Sequence, residues 1–381
     1  MKVLVVGCGK VGSEIVRDLA ASKDVDSVVA TDASSESLAR VKKWPKVETV
    51  RANLGQRNTL THLVNEADLV CGALPGRLGF ELLEETVGLG RDIVDISYTP
   101  RDPFKLHRRA LDSNCTLVPQ CGVAPGFTNM CVGDASRRLE NVTRVRIYVG
   151  GLPQKPVPPL NYRVVFSLED VINEYTRLVR VIENGHRKTV EPLSGRGFLA
   201  FPSVGKLEYF LTDGLGTLPR SLPKVRNMHE LTLRYPGHAE IMNTLRALGY
   251  FDRRKVEVDG SLVEPRRLSI ELLKSSFSVG TPEDFLAFRV DVEGVSGGRR
   301  VLVRHQMLDR FDRKNGVSAM ARTTAYPCTS VALLLGQKRL RWKGVVPPEK
   351  IARDPELFNF VLSRLRARGV RPTIQTQVLG S

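Results

Sequence analysis

The chain has 381 residues, 42% hydrophobic and 26% charged, with a formal net charge of +16. That length holds two ordinary domains with cores of their own, and the composition is globular rather than fibrous or disordered. No apolar run approaches the roughly 20 residues of a membrane span, and Met1 leads straight into an apolar strand signal, so we expect no span, no cleavable leader and a cytoplasmic protein.

The first strand signal is Val3–Val6, a short apolar run suited to a buried parallel strand. Gly7, Gly9 and Gly12 follow in G-x-G-x-x-G register, Ser13–Ala21 reads as a helix, and Val28–Ala30 is a second strand ending at Asp32, twenty residues past Gly12. Gly7 allows the tight turn, Gly9 lets backbone approach a pyrophosphate, and Gly12 lets helix and strand pack closely. The helix N-terminus favours phosphate through its free N–H groups and dipole. We therefore expect a dinucleotide held by Gly7, Gly9, Lys10, Val11 and Gly12, with Asp32 and the adjoining Ala33 at the adenosine ribose. The Asp32 carboxylate repels a 2′-phosphate, so NAD is the expected cofactor. Ser34, Ser35, Arg40 and Lys42 leave NADP use open.

Strand signals recur at Asp68–Gly76, Asp92–Ser97 and Cys115–Gly122, with helical stretches between them at Gly79–Leu89 and Pro103–Ser113. Repeated β-α alternation implies a doubly wound parallel sheet of Rossmann type. Ligands bind beyond the C-terminal strand ends of such sheets. That rule puts Ala73, Leu74 and Pro75, the stretch from Asp95 to Pro100, and Gly122 and Val123 at the cofactor face. After Gly126 the pattern changes. Val145–Leu152 and Leu233–His238 read as strands, Arg266–Phe277 as a helix, and two alternating runs flank Gly297-Gly298 as in a hairpin. A long apolar helix containing Pro327 (319–335) and an amphipathic helix (355–368) close the chain. The fold class expected is α/β. A Rossmann domain (1–123) precedes an inserted α+β substrate-binding and dimerisation domain (124–318), and a C-terminal segment (319–381) returns its helices to the nucleotide domain.

The six cysteines form no C-x-x-C pair and sit in apolar or glycine-rich surroundings, as buried reduced thiols do. The six histidines and the cysteines show no zinc spacing, so no metal is expected. The basic residues are dispersed among acids and lack interleaved aromatics, which argues against nucleic-acid binding.

Longer segments carry a more specific signal: GVAPGFTN (Gly122–Asn129), YVGGLP (Tyr148–Pro153), PPLNYRVVFSLEDVINEY (Pro158–Tyr175), RYPGHAE (Arg234–Glu240), AMARTTAYP (Ala319–Pro327) and GVVPPE (Gly344–Glu349). Through these, in order from Met1 to about Gly369, the chain resembles the saccharopine dehydrogenase-like family, and within it the L-lysine 6-dehydrogenase branch. The resemblance implies a homodimer that oxidises the ε-carbon of L-lysine by hydride transfer to the nicotinamide. It releases ammonia and 2-aminoadipate 6-semialdehyde, which cyclises to piperideine-6-carboxylate. Saccharopine reductases usually carry an acid where this chain has Ala124, which favours a smaller substrate than saccharopine.

Such chemistry needs a neutral amine, a base working near the ambient pH and a cation for the substrate carboxylate. Asp95 ends a strand at the cofactor face and either holds or deprotonates the ε-ammonium, or caps the turn before Pro100. Tyr98 orients substrate or packs. Arg234 is the candidate carboxylate clamp, against a structural salt bridge, and His238 the candidate base, against a structural histidine. Tyr162, with Arg163 beside it, forms a pocket wall or core. Thr217 and Arg220 are weaker substrate contacts. Asn129 supports the nicotinamide or caps a helix. Thr323 and Thr324 reach the cofactor or bond back within their helix. The rival readings are a saccharopine or carboxynorspermidine-type reductase, and a non-catalytic NAD(P)-sensing protein.

Overall fold

The computed structural model describes residues 1–52, 57–99, 101–164, 167–278 and 281–380. Pro100, the end of the turn proposed for Asp95, lies outside them. In chain order the first elements are β1 (Lys2–Val6), α1 (Lys10–Ala20), β2 (Ser27–Asp32), α2 (Ser35–Val41), β3 (Val47–Arg51), α3 (Arg57–Glu66), β4 (Leu69–Gly72), α4 (Gly76–Gly88), β5 (Asp92–Asp95), α5 (His107–Asp112), β6 (Thr116–Val118) and α6 (Phe127–Arg137). Then come β7 (Asn141–Pro153), α7 (Leu168–Thr176), β8 (Val179–Glu183), β9 (His186–Val190), β10 (Gly197–Phe201), β11 (Gly205–Leu211), α8 (Leu218–Ser221), β12 (Asn227–Arg234), α9 (His238–Ala247), β13 (Val256–Val258), β14 (Ser261–Val263), α10 (Pro265–Ser278), β15 (Asp284–Ser296) and β16 (Arg299–Arg310). The chain closes with α11 (Ala319–Gly336), β17 (Gly344–Val345), α12 (Pro348–Ala352), α13 (Pro355–Ala367) and β18 (Thr373–Val378).

One compact unit comprises Met1–Glu140, Gly216–Pro223 and Ala321–Pro372. Its seven-stranded sheet runs β17-β6-β5-β4-β1-β2-β3, every neighbouring pair parallel. The order reverses at β1, the switch point where doubly wound sheets bind their ligands. Apolar side chains from strands and helices, among them Leu4, Val70, Leu83, Val87, Ile93 and Leu117, are buried in one core. All six cysteines of the chain are buried free thiols.

The other unit comprises Asn141–Leu215, Lys224–Met320 and Thr373–Ser381. Its nine-stranded sheet is mixed, with a main path β10-β11-β12-β7-β15-β16-β18. The expected hairpin is present: β15 and β16 pair antiparallel from Phe285↔Arg310 to Ser296↔Arg299 around the two glycines. A second core gathers Leu160, Tyr162, Ile172, Tyr175, Phe210 and Met242 under α7 and α9.

Several sequence expectations change here. Helix α6 belongs to the first unit, because it is buried along nearly its whole length and Gly133 lets the Glu349 backbone lie against it. The first unit also takes back Gly216–Pro223, which the 124–318 boundary assigned to the substrate domain. The C-terminal segment divides: its helices stay with the first unit, but β18 pairs antiparallel with β16 in the second. Ile374 and Val378 share one face of that strand, but it stays largely exposed, and backbone hydrogen bonds hold it at the sheet edge. Nor is Leu233–His238 one strand. Pro236 and Gly237 (φ +91°) break the chain, and His238 opens α9. Among the described residues no helix is long and apolar enough to cross a membrane.

Candidate functional site

The cradle at the β1–α1 turn is built from backbone. Gly7 sits at φ +97° and donates its N–H to the Thr31 carbonyl at 2.8 Å. A Cβ at Gly12 would lie 1.9 Å from the Gly7 carbonyl oxygen, so any side chain there forces the turn and helix apart. At Gly9, the residue preceding α1, a Cβ would meet nothing within 4 Å. Turn and helix close on each other behind the loop and leave space in front of it, as a pyrophosphate at a helix N-terminus requires. Lys10 and Val11 form the first turn of α1.

Asp32 ends β2 with one carboxylate oxygen accepting from the Cys8 N–H and the other from the Ser34 N–H, each at 2.7 Å. Two amide bonds fix the carboxylate while leaving it lone pairs for a ribose diol. Ala33 turns its carbonyl to Arg51 Nε at 3.2 Å. Ala73 follows β4 and donates its N–H to Val6, Leu74 accepts from the Ser97 hydroxyl, and Pro75 precedes α4. Gly122 and Val123 follow β6, and their carbonyls accept from Phe127 and Thr128 at the start of α6. The expected cofactor residues thus converge on the C-terminal ends of β1, β2, β4 and β6, and they fit a dinucleotide.

Asp95 ends β5 but is fully buried. Its carboxylate accepts from the Ser97 N–H at 2.8 Å, and its other oxygen lies 3.1 Å from Ser97 Oγ. Gly72 and Gly79 make room for this group: a Cβ at Gly72 would lie 2.0 Å from Asp95 Oδ2. Burial pushes the carboxyl up to about 8, against the Ser97 hydrogen bonds that favour its ionised form. In the neutral state Asp95 donates to Ser97 Oγ, whose single hydrogen goes to the Leu74 carbonyl at 2.8 Å. Asp95 thereby holds the β5 turn to the β4 turn. Tyr98, half-buried, follows, and its carbonyl lies against Gly76.

The second unit brings Tyr162, Arg234 and His238 together, as the sequence suggests, but in buried form. Arg234 is 2% exposed. One guanidinium nitrogen donates to Glu174 at 2.6 Å, another to the Leu233 carbonyl at 2.9 Å, and the group lies 4.3 Å over the Tyr162 ring. His238 has no exposed surface. Its Nδ1 lies 2.7 Å from the Leu160 carbonyl, which can only accept, so Nδ1 carries the hydrogen. Nε2 is then the acceptor for the Tyr175 hydroxyl at 2.8 Å. Burial, with the Arg234 charge adding to it, lowers the imidazole to about 3. A neutral ring with both nitrogens engaged does not suit the base role considered for His238; it orders Tyr175 and the chain at Leu160. The turn before it is tied down by Glu208, whose carboxylate accepts from Gly237 and Ala239.

Thr217 lies in the first unit, where its buried hydroxyl donates to Glu349 at 2.8 Å. Arg220 pairs with Asp102 at 2.7 Å, and Arg163 donates to the Thr281 carbonyl. Asn129 accepts from the Gly126 N–H, so it caps α6. The Thr324 methyl lies beside Gly122. Sequence reasoning missed Glu174 and Tyr175. They stand on α7, whose buried residues are Val171, Ile172 and Tyr175, and Glu174 lies 60 positions from Arg234. No spacing rule connects them; the only local signal is an acid adjoining an apolar helical stripe.

A switch-point sheet carrying this glycine cradle, joined to a second α+β unit, defines a nicotinamide-dinucleotide-dependent oxidoreductase of Rossmann type. Residues 3–118 match the saccharopine dehydrogenase NADP binding domain and 122–370 the saccharopine dehydrogenase C-terminal domain. The chain belongs to the saccharopine dehydrogenase family. It is 23% identical to an alpha-aminoadipic semialdehyde synthase of Arabidopsis thaliana over 91% of this chain and 40% of that protein. It spans less than half the length of the plant, rat and bovine synthases it matches. It is 22% identical to a carboxyaminopropylagmatine dehydrogenase of Synechocystis, over 93% of this chain and 94% of that one. Its fold superposes on the apo saccharopine dehydrogenase (L-Glu forming) of Saccharomyces cerevisiae with TM-score 0.80 and 15% identity over the whole of both chains.

Proposed function

We propose that the chain is an amine dehydrogenase that prefers NAD and oxidises the ε-carbon of L-lysine, releasing ammonia and 2-aminoadipate 6-semialdehyde. The observation that carries this reading is the Arg234–Glu174 pair. Arg234 is sealed on the Tyr162 side, while Glu174 keeps 27% of its side chain exposed. The buried guanidinium fixes Glu174 in place, and the accessible carboxylate of Glu174 suits the α-ammonium of an amino-acid substrate. Ala124 supports the choice of lysine over saccharopine, since it offers no charge for a second amino-acid portion. Asp32 supports NAD, because its fixed carboxylate opposes a 2′-phosphate.

When bound in the cradle, the oxidised nicotinamide supplies the hydride acceptor. Gly7, Gly9, Gly12, Asp32 and the ends of β4 and β6 hold and orient it. The substrate nitrogen must be neutral to support the developing iminium. Asp95 and His238 are both buried and hydrogen-bonded, so the ε-ammonium loses its proton to solvent water rather than to either side chain. kcat/KM then rises with pH toward the ordinary lysine value of about 10.4. An inflection near 8 would return the base role to Asp95.

A second reading, a reductase that forms a larger secondary amine, is favoured by the named dehydrogenases among the relatives, one of them matched over nearly its full length. Incubation with NAD and L-lysine, followed by absorbance of the reduced cofactor, separates the two. Lysine-dependent reduction supports the proposal. No signal with lysine, together with oxidation of NADPH by the semialdehyde plus glutamate, reverses it.

A further inference from the structure

The first unit bears a family match to an NADP-binding domain while presenting Asp32, an NAD-type acid, at the ribose position. The end of β3 addresses that tension. Strands β2 and β3 are parallel neighbours in a register that sets Asp32 beside Arg51. The two strand ends are tied again by the Ala52 N–H on the Asp32 carbonyl at 3.2 Å. Arg51 is exposed, and its Nε donates to the carbonyl of Ala33, the residue after Asp32. Among the described residues this is its only hydrogen bond, so the head group is anchored at one nitrogen with both terminal nitrogens uncommitted. The cations considered from sequence are placed differently. Arg40 bonds the Ser37 hydroxyl and lies 3.9 Å from Glu36, and Lys42 follows the end of α2.

We propose that Arg51 is a cofactor-specificity residue that supplies the cation for a 2′-phosphate, so that Asp32 and Arg51 form an opposed pair and the cradle accepts NADP as well as NAD. This rests on the dinucleotide reading of the cradle and deepens it. Asp32 favours the diol and repels the phosphate. The Arg51 fork offers that phosphate charge-assisted hydrogen bonds that the diol does not need. The balance between the two sets the ratio of affinities, and neither residue has to touch the nicotinamide end.

The test is direct titration of the full chain with NADH and NADPH, followed by cofactor fluorescence and by calorimetry. The wild type binds both, NADH more tightly. R51A weakens NADPH by about tenfold or more and changes NADH by less than twofold, and R51K recovers part of the loss. D32S tightens NADPH and weakens NADH, and D32S/R51A abolishes the NADPH gain. Because Arg51 is exposed and, among the described residues, makes a single hydrogen bond, R51A keeps the wild-type unfolding midpoint. Equal changes in both affinities, or no change in either, overturn the inference and leave the cradle standing. NADH binding with no NADPH binding in wild type and D32S does the same. A wild type that binds neither cofactor overturns the cradle reading and, with it, this one.

Discussion

The two units place their charged groups by opposite means. The cradle of the first is made of backbone, three glycines and one carboxylate fixed by two amide N–H groups, and it faces open space at Gly9. The cluster of the second is made of side chains, with Arg234, Tyr162, Tyr175 and His238 buried and only Glu174 partly exposed. Backbone geometry tolerates exposure because each amide already has its place in the fold. A buried guanidinium needs an acid, a carbonyl and a ring around it before it contributes anything. The first region should therefore fail by losing ligand, and the second by losing stability.

The largest expected effect is on the second. R234A removes the guanidinium hydrogen-bonded to Glu174 and should cost about 3–5 kcal/mol in denaturant unfolding, as breaking a buried pair does. NADH affinity should change by less than twofold. Parallel loss of stability and NADH binding would end the distinction between the regions. G12V should weaken NADH about a hundredfold, or ~2.7 kcal/mol, because its Cβ alone meets the Gly7 carbonyl. Near-normal affinity in that variant would contradict the cradle.

Smaller effects sharpen the comparison. H238A removes the donor to the Leu160 carbonyl and the acceptor of the Tyr175 hydroxyl, a loss of about 1–3 kcal/mol. The native imidazole titrates near 3 against an ordinary 6.5, so the unfolded chain binds the extra proton first as pH falls. His238 stability is therefore present above 6.5 and lost between 6.5 and 3. H238A should lack that component, and an unchanged slope would contradict the assignment. Asp95 has the opposite sign. Its folded value of about 8 lies above its ordinary 3.8, so its contribution is full below 3.8 and declines as pH rises to 8. D95N, isosteric with the neutral acid, should remove this decline, as unfolding midpoints across that range would show.

The same contrast explains what the sequence reveals. Gly7, Gly9, Gly12 and Asp32 are legible because a strand-turn-helix-strand unit is local, and each glycine answers to one backbone constraint. The alternation that followed exposed the sheet and the strand ends where Ala73 and Gly122 lie. The sequence picked out Tyr162, Arg234 and His238 as a group, and the structure gathers them. The partners Glu174 and Tyr175 come from a helix 60 or more positions from Arg234 and His238 in the chain, and burial, with the Arg234 charge beside it, decides that His238 is neutral. Thr217 illustrates the limit: its neighbours place it in the second unit by sequence, while its hydrogen bond to Glu349 places it in the first. Strand β18 alternates Ile374, Thr376 and Val378 on one face but is short and mostly exposed, so pairing with β16 is what discloses it.

The proposed oxidation of an amino acid's ε-amine with a nicotinamide cofactor can be followed by isotopic labelling of the released ammonia. With L-lysine carrying nitrogen-15 at the ε position, labelled ammonia should appear in step with reduced cofactor, and none with the label at the α position. Label released from the α position, or cofactor binding with no ammonia from either, would contradict it.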